Sequence, residues 1–232
     1  GRYGEVLEWK YLEEMSVEQI AKRLRGSFES TQSLLQRARV ALRSALELGY
    51  THFDTAENYA GGHSEELVGR AIREMGVPRE SLFITSKVEP NHLQYEQVLR
   101  CCADSLRRLG MEYLDLYLIH WPVIGMNLPE TFRALNQLVR EGRVRHLGVS
   151  NFNLKLLKQA AALSETPLLT NQVPYSIPDR EYVKKGVLEY CQQNDILLTA
   201  YTPVKHRFTQ GNQALKELAQ ARGVTPAQIS LA

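Results

Sequence analysis

The sequence has few cysteines, little net charge and no long apolar run, and each shortage removes a class of explanation. Three cysteines in 232 residues, Cys101, Cys102 and Cys191, are an odd number. They show no C-x-x-C spacing, so neither a disulfide framework nor a metal site is read from them. Two of them are adjacent in a helical pattern, which is how intracellular core thiols look. No stretch is apolar for long enough to cross a bilayer, and no signal peptide opens the chain, so the expectation is a cytoplasmic protein without a membrane partner. A formal net charge of +2 is too small to imply a nucleic-acid or membrane surface as partner. No G-x-G-x-x-G follows any strand-like run, which counts against a dinucleotide-binding fold of the doubly wound kind.

What is present is an alternation. Hydrophobic residues make up 44% and charged residues 23%, ordinary for a globular chain. From about Tyr50, short apolar β-branched runs alternate with amphipathic ones. The strand-like runs are Thr51–Asp54, Leu82–Lys87, Leu114–His120, Val144–Ser150, Leu168–Val173 and Ile196–Tyr201. Helical stripes lie between them: Leu67, Val68, Ala71 and Ile72; then Val98, Leu99, Cys102 and Leu106; then Phe132, Leu135, Leu138 and Val139. Nearly all-apolar strands separated by helices predict a parallel sheet covered by helices. The repeat of roughly thirty residues is that of a βα unit. A TIM barrel and an open doubly wound sheet both satisfy it.

Residues 1–44 follow a different pattern, with no strand. Val6–Glu13 reads as a helix, Ser16-Val-Glu-Gln19 as a capping box opening a second, and Glu29–Arg43 as a third after a break at Gly26. A helical cap on the barrel and a helix-turn-helix both fit this segment.

In a TIM barrel the active site is built where strands end. The polar residues there are Asp54, Lys87, His120, Ser150 with Asn151, Gln172, and Tyr201, and Tyr59 follows Asp54 in the next loop. Singly, each could be a hydrogen-bonded or solvated strand end. An acid, a lysine and a histidine on three successive strand ends, beside a tyrosine, support a more specific chemistry. An ammonium next to a phenol favours the phenolate and so improves the phenol as a proton donor. An aspartate holds the lysine charged, and a histidine orients a substrate oxygen. Such a set protonates a developing alkoxide while a hydride arrives at carbon, and the hydride must come from a cofactor.

Six segments carry a resemblance. His52-Phe-Asp-Thr-Ala-Glu-Asn-Tyr59, Phe83-Ile-Thr-Ser-Lys87, Leu118-Ile-His-Trp-Pro122, Gly148-Val-Ser-Asn-Phe152, Asn171-Gln-Val173 and Ala200-Tyr-Thr-Pro203 resemble, in order, the signature segments of the aldo-keto reductase family. The resemblance covers about residues 41–232. It implies an α/β fold, a partial TIM (β/α) barrel of about six βα units, and an NAD(P)H-dependent reductase of aldehydes or ketones. It makes Tyr59 the general acid, with Lys87 and Asp54 tuning it and His120 orienting the carbonyl. It gives Ser150, Asn151 and Gln172 the nicotinamide carboxamide, Tyr201 the stacking face and Trp121 a place in the substrate pocket, with NADP(H) ahead of NAD(H). No metal is implied.

Two parts of the family's pattern are not found: a first strand before Thr51, and an eighth strand with the adenosine-phosphate segment behind it. Six strands alone would leave the first and last as edges, so self-association through open barrel edges is expected. The N-terminal stretch from Tyr3 to Ala21, with Ser33-Leu-Leu-Gln-Arg-Ala-Arg39, resembles instead the C-terminal helix-turn-helix of an extracytoplasmic-function sigma factor. That implies promoter contact through residues 29–43, with Arg37 and Arg39 available for phosphates. Acidic and basic residues nearly balance there, so nucleic acid is the weaker partner beside a small carbonyl compound. The expected organisation is a helical segment over 1–44 and a barrel over 45–232. The competing reading is an impaired chimera or barrel fragment with a DNA-binding-like N-terminus.

Overall fold

In the computed structural model, residues 42–232 are described. The helices expected over Val6–Glu13, after Ser16 and over most of Glu29–Arg43 lie outside the described residues, as does the bend at Gly26. Residues 42–47 are helical and lead into the first strand. Two compact units are distinguished, with the boundary between Leu147 and Gly148.

The first unit holds β1 (His52–Asp54), α1 (His63–Met75), β2 (Phe83–Val88), α2 (Tyr95–Leu109), β3 (Leu114–Ile119) and α3 (Leu128–Arg140), and runs into β4 (Val144–Ser150). β1 pairs with β2 in parallel, with Asp54 opposite Thr85, and β2 pairs with β3, with Lys87 opposite Leu118. The second unit takes the end of β4 and adds α4 (Leu154–Leu163), β5 (Leu168–Pro174), α5 (Glu181–Lys184), α6 (Val187–Gln193), β6 (Leu197–Tyr201), α7 (His206–Gly211), α8 (Gln213–Arg222) and α9 (Pro226–Leu231). β5 and β6 are parallel, with Gln172 opposite Thr199. The strand order is β1-β2-β3-β4-β5-β6, the order of the chain. A doubly wound sheet reverses its order at a switch point. This one does not, and that decides between the two topologies the sequence left open.

The local reasons are visible in α2. Gln94 and Gln97 cap its start reciprocally, and Gly110, with φ of 66°, ends it by donating its N–H to the Leu106 and Arg107 carbonyls. Val98, Cys101, Cys102, Ser105, Leu106 and Leu109 form its buried stripe at helical spacing. α1 comes so close that a Cβ on Gly69 would overlap the Leu109 backbone. β3 is buried along its whole length, its acid included. Asp115 is compensated from three sides: the Ile84 amide at 2.9 Å, Arg79 at 2.5 Å and Arg145 at 3.1 Å. Both guanidinium groups also lie over the Tyr113 ring. This cluster is at the start of β3, away from the strand ends where the candidate site is built, and reads as structural.

Candidate active site

Side chains alternate along β2, so Ser86 and Lys87 face opposite ways. Ser86 turns to the helices and donates to the buried Glu65 of α1 at 2.6 Å, and Arg108 of α2 donates to the same carboxylate at 2.6 Å. Lys87 turns to the other face. It is only 1% exposed, a position where a lone charge would be costly. Its ammonium has three protons and three partners: the Asp54 carboxylate, the Thr55 carbonyl at 2.9 Å and the Tyr59 hydroxyl oxygen at 3.4 Å. Tyr59 therefore accepts from the lysine through its oxygen, and its own proton is left to donate outward.

The loop carrying Tyr59 is held at several points. The Thr55 hydroxyl donates to Ser64 at 2.9 Å, the Ser64 amide donates to the Tyr59 carbonyl at 3.2 Å, and the Glu57 amide donates to the Lys87 carbonyl at 3.3 Å. His120 follows β3 directly, fixed by its amide on the Val88 carbonyl at 3.0 Å. Its ring meets that of Tyr59 edge-on, with centroids 5.5 Å apart. Burial, aided by the Lys87 charge, pushes the imidazole down to about 4, with Asp54 opposing. His120 is thus neutral at pH 7 and offers an N–H without a second positive charge beside the lysine. Asp54, Tyr59, Lys87 and His120, expected together from the sequence, are brought together. Trp121 follows His120 and is 46% exposed, with Val123 and Ile124 also exposed beyond it.

The second unit presents a different set. Asn151 comes just after β4 with φ of 64°, a left-handed conformation that asparagine tolerates better than most residues. Its amide N–H donates to the Gln172 carbonyl at 2.9 Å, and the Ser150 hydroxyl donates to the same carbonyl at 2.9 Å. Its side-chain nitrogen donates to Ser150 at 3.0 Å, and its side-chain oxygen accepts from Tyr201 at 2.8 Å. Ser150, Asn151, Gln172 and Tyr201 thus form one network at the ends of β4, β5 and β6. Two supporting residues were not among those singled out from the sequence. Tyr182 donates to the Asn151 carbonyl at 3.3 Å. Asn171, fully buried, donates to the Phe152 carbonyl at 2.9 Å and accepts from its amide at 3.4 Å. Asn171 could have been flagged as a buried amide beside Gln172; Tyr182 gives no signal in sequence.

Comparison with known proteins gives the family and the fold. The Aldo/keto reductase family model matches residues 26–232, so the match begins inside the stretch 1–44 that was expected to be a separate helical segment. Methylglyoxal reductase YeaE of Escherichia coli (strain K12) is 37% identical over 198 residues, covering 83% of this chain and 68% of the relative. A thermostable aldo-keto reductase crystallised with the inhibitor epalrestat is 44% identical, with a TM-score of 0.79 over 84% of this chain and 72% of that one. An aldo/keto reductase from Klebsiella pneumoniae, solved with NADP and acetate, is 38% identical with a TM-score of 0.75, covering 84% and 70%. The chain thus spans about two thirds of the length of the reductase YeaE, and its fold is a partial TIM barrel.

Proposed function

The chain belongs to the aldo/keto reductase family, and we infer that it is an oxidoreductase reducing small aldehydes and ketones with NADPH. The observation that carries this is the buried Lys87 ammonium, which spends one of its three hydrogen bonds on the Tyr59 oxygen.

Bound cofactor supplies the hydride. The residues do the rest. Asp54 and the Thr55 carbonyl hold Lys87 charged and in place. Lys87 stabilises the negative charge that Tyr59 acquires as it gives its proton to the carbonyl oxygen. His120, neutral, donates a hydrogen bond to that oxygen and fixes the carbonyl's direction. The nicotinamide end fits the second unit's network. A carboxamide both donates and accepts, and so do Asn151, Gln172 and Ser150; the aromatic face of Tyr201 suits stacking on the ring. Trp121 lines the substrate pocket. NADPH is preferred over NADH because the Klebsiella neighbours were crystallised with NADP and NADPH.

Methylglyoxal and glyoxal are the substrates to test first, since relatives carry those reductase names. A small dicarbonyl needs little beyond the carbonyl-binding groups themselves. The test is an initial-rate assay following NADPH oxidation with methylglyoxal, glyoxal and a bulky aromatic aldehyde. No turnover of any of them at saturating NADPH sinks the reading.

Two secondary readings go with this one. Buried reduced cysteines suit a cytoplasmic setting, and no helix among the described residues is long and apolar enough to cross a membrane. Among the described residues β1 and β6 end the strand order, and Tyr50 before β1 and Leu197 in β6 are 63% and 61% exposed. Exposed apolar strand edges favour self-association, and light scattering on the eluted protein should show species above the monomer mass; a monodisperse monomer refutes it.

A further inference from the structure

On the helix-facing side of the loop that carries Tyr59 is a second cluster with no part in the reaction above. Glu57, His92 and Cys101 come from the loop after β1, the short turn after β2 and the buried stripe of α2. One ligand-type atom from each, a carboxylate oxygen, an imidazole nitrogen and a thiol sulfur, lies within 4.8 Å of the others. Nδ1 of His92 is 3.2 Å from Glu57 Oε1 and 3.6 Å from Glu89 Oε1. The Glu89 amide donates to Glu57 Oε1 at 2.6 Å, so the carboxylate is fixed on its protein side.

We propose that Glu57, His92 and Cys101 form a binding site for one divalent cation of the zinc class, which ties the Tyr59 loop to α2. Thiolate, imidazole and carboxylate are the ligand types such an ion takes, and three protein ligands leave a fourth position for water or Glu89. With Zn–S near ~2.3 Å and Zn–N or Zn–O near ~2.0–2.2 Å, tetrahedral ligands lie about 3.3–3.8 Å apart. From a widest spacing of 4.8 Å the cluster must close by up to about 1–1.5 Å, and His92 can do it, because it is half-exposed in a one-turn helix. The same exposure gives the ion a way in. Binding exchanges the Cys101 thiol proton for the metal, and the proton leaves to solvent. Thiolate and carboxylate then carry two negative charges against the two positive charges of the ion.

The test is a cobalt(II) titration of the whole chain, metal-stripped under reducing conditions. One equivalent should produce a sulfur-to-cobalt charge-transfer band in the near ultraviolet, which zinc(II) then removes. Cys101→Ser should abolish the band, whereas Cys102→Ser and Cys191→Ser should keep it. His92→Gln, a half-exposed change that leaves the core alone, should weaken cobalt affinity at least tenfold. Absence of the band, its survival in Cys101→Ser, or unchanged affinity in His92→Gln overturns the site. None of these readouts depends on turnover, so the site and the reductase reading stand or fall separately.

Discussion

The two units place their functional groups at strand ends by different physical means. In the first, a buried charge does the placing: Lys87 is almost inaccessible, and each proton of its ammonium has a designated acceptor. In the second, neutral amides and hydroxyls do it, with backbone held in left-handed conformations at Asn151 (φ 64°) and Thr202 (φ 48°). Proton transfer needs an electrostatic field that does not relax, and a buried, fully paired ammonium provides one. Holding an uncharged ring and carboxamide needs shape and hydrogen-bond direction, which strand-end geometry provides at lower desolvation cost. Damage to the first unit's site should therefore appear in the chemical step, and damage to the second's in cofactor affinity.

The largest effect should come from Tyr59→Phe. It removes the proposed proton donor and leaves the ring, so reduction should fall by about a thousandfold, within the range of general acid catalysis. NADPH affinity, read by fluorescence titration, should change by less than about twofold, as its binding groups are untouched. A variant that keeps half its rate removes Tyr59 from the acid's role. Next in size is the pH dependence of stability. His120 is held near 4 in the folded chain against 6.5 when unfolded. Between those values the unfolded state takes up the proton and the folded state resists it. Stability is full above pH 6.5 and is lost as pH falls towards 4, by about 3 kcal/mol in all. Urea melts at pH 7 and pH 4.5 should show a loss in the wild type that is clearly smaller in His120→Gln. Equal losses would mean that other groups dominate.

The same contrast explains what could be read from the sequence. The six strands were legible because nearly every one is a short run closed by a polar residue; their limits shift only slightly, with Thr51 outside β1, Val88 inside β2 and His120 just past β3. Asp54, Lys87 and His120 were legible for the same reason, since strand ends in a βα repeat converge. The Thr55 carbonyl on Lys87 was not, because a backbone acceptor carries no residue code. Nor was the Glu57, His92 and Cys101 cluster, since its members come from a loop, a turn and a helix with no ligand spacing. The left-handed backbone at Thr202 was hidden too: a β-branched residue is a poor candidate for positive φ, and only the fold imposes it.

A moderate effect is expected in the second unit from Tyr201→Phe. The hydroxyl that donates to Asn151 at 2.8 Å is lost while the ring remains. A neutral hydrogen bond contributes roughly 0.5–1.5 kcal/mol, so NADPH should bind several-fold more weakly with the rate at saturating cofactor nearly unchanged. If the rate falls and affinity does not, the division of labour between the units is wrong.

The smallest effect, and the sharpest test of the second unit's strategy, is Thr202→Gly. Threonine at φ of 48° holds a conformation that costs a non-glycine residue roughly 1–2 kcal/mol. Glycine adopts it freely but brings back about 0.5–1 kcal/mol of chain entropy on unfolding. Thr202 is exposed, so its side chain gives up little packing when removed. The balance is a gain of about half a kcal/mol, visible as a small rise in Tm. If the left-handed turn serves to aim Tyr201, the freer glycine backbone should loosen that aim, and NADPH affinity should fall as stability rises. A variant that gains stability and keeps full affinity would show the strained turn to be incidental to cofactor binding, and the second unit's site would then rest on its hydrogen bonds alone.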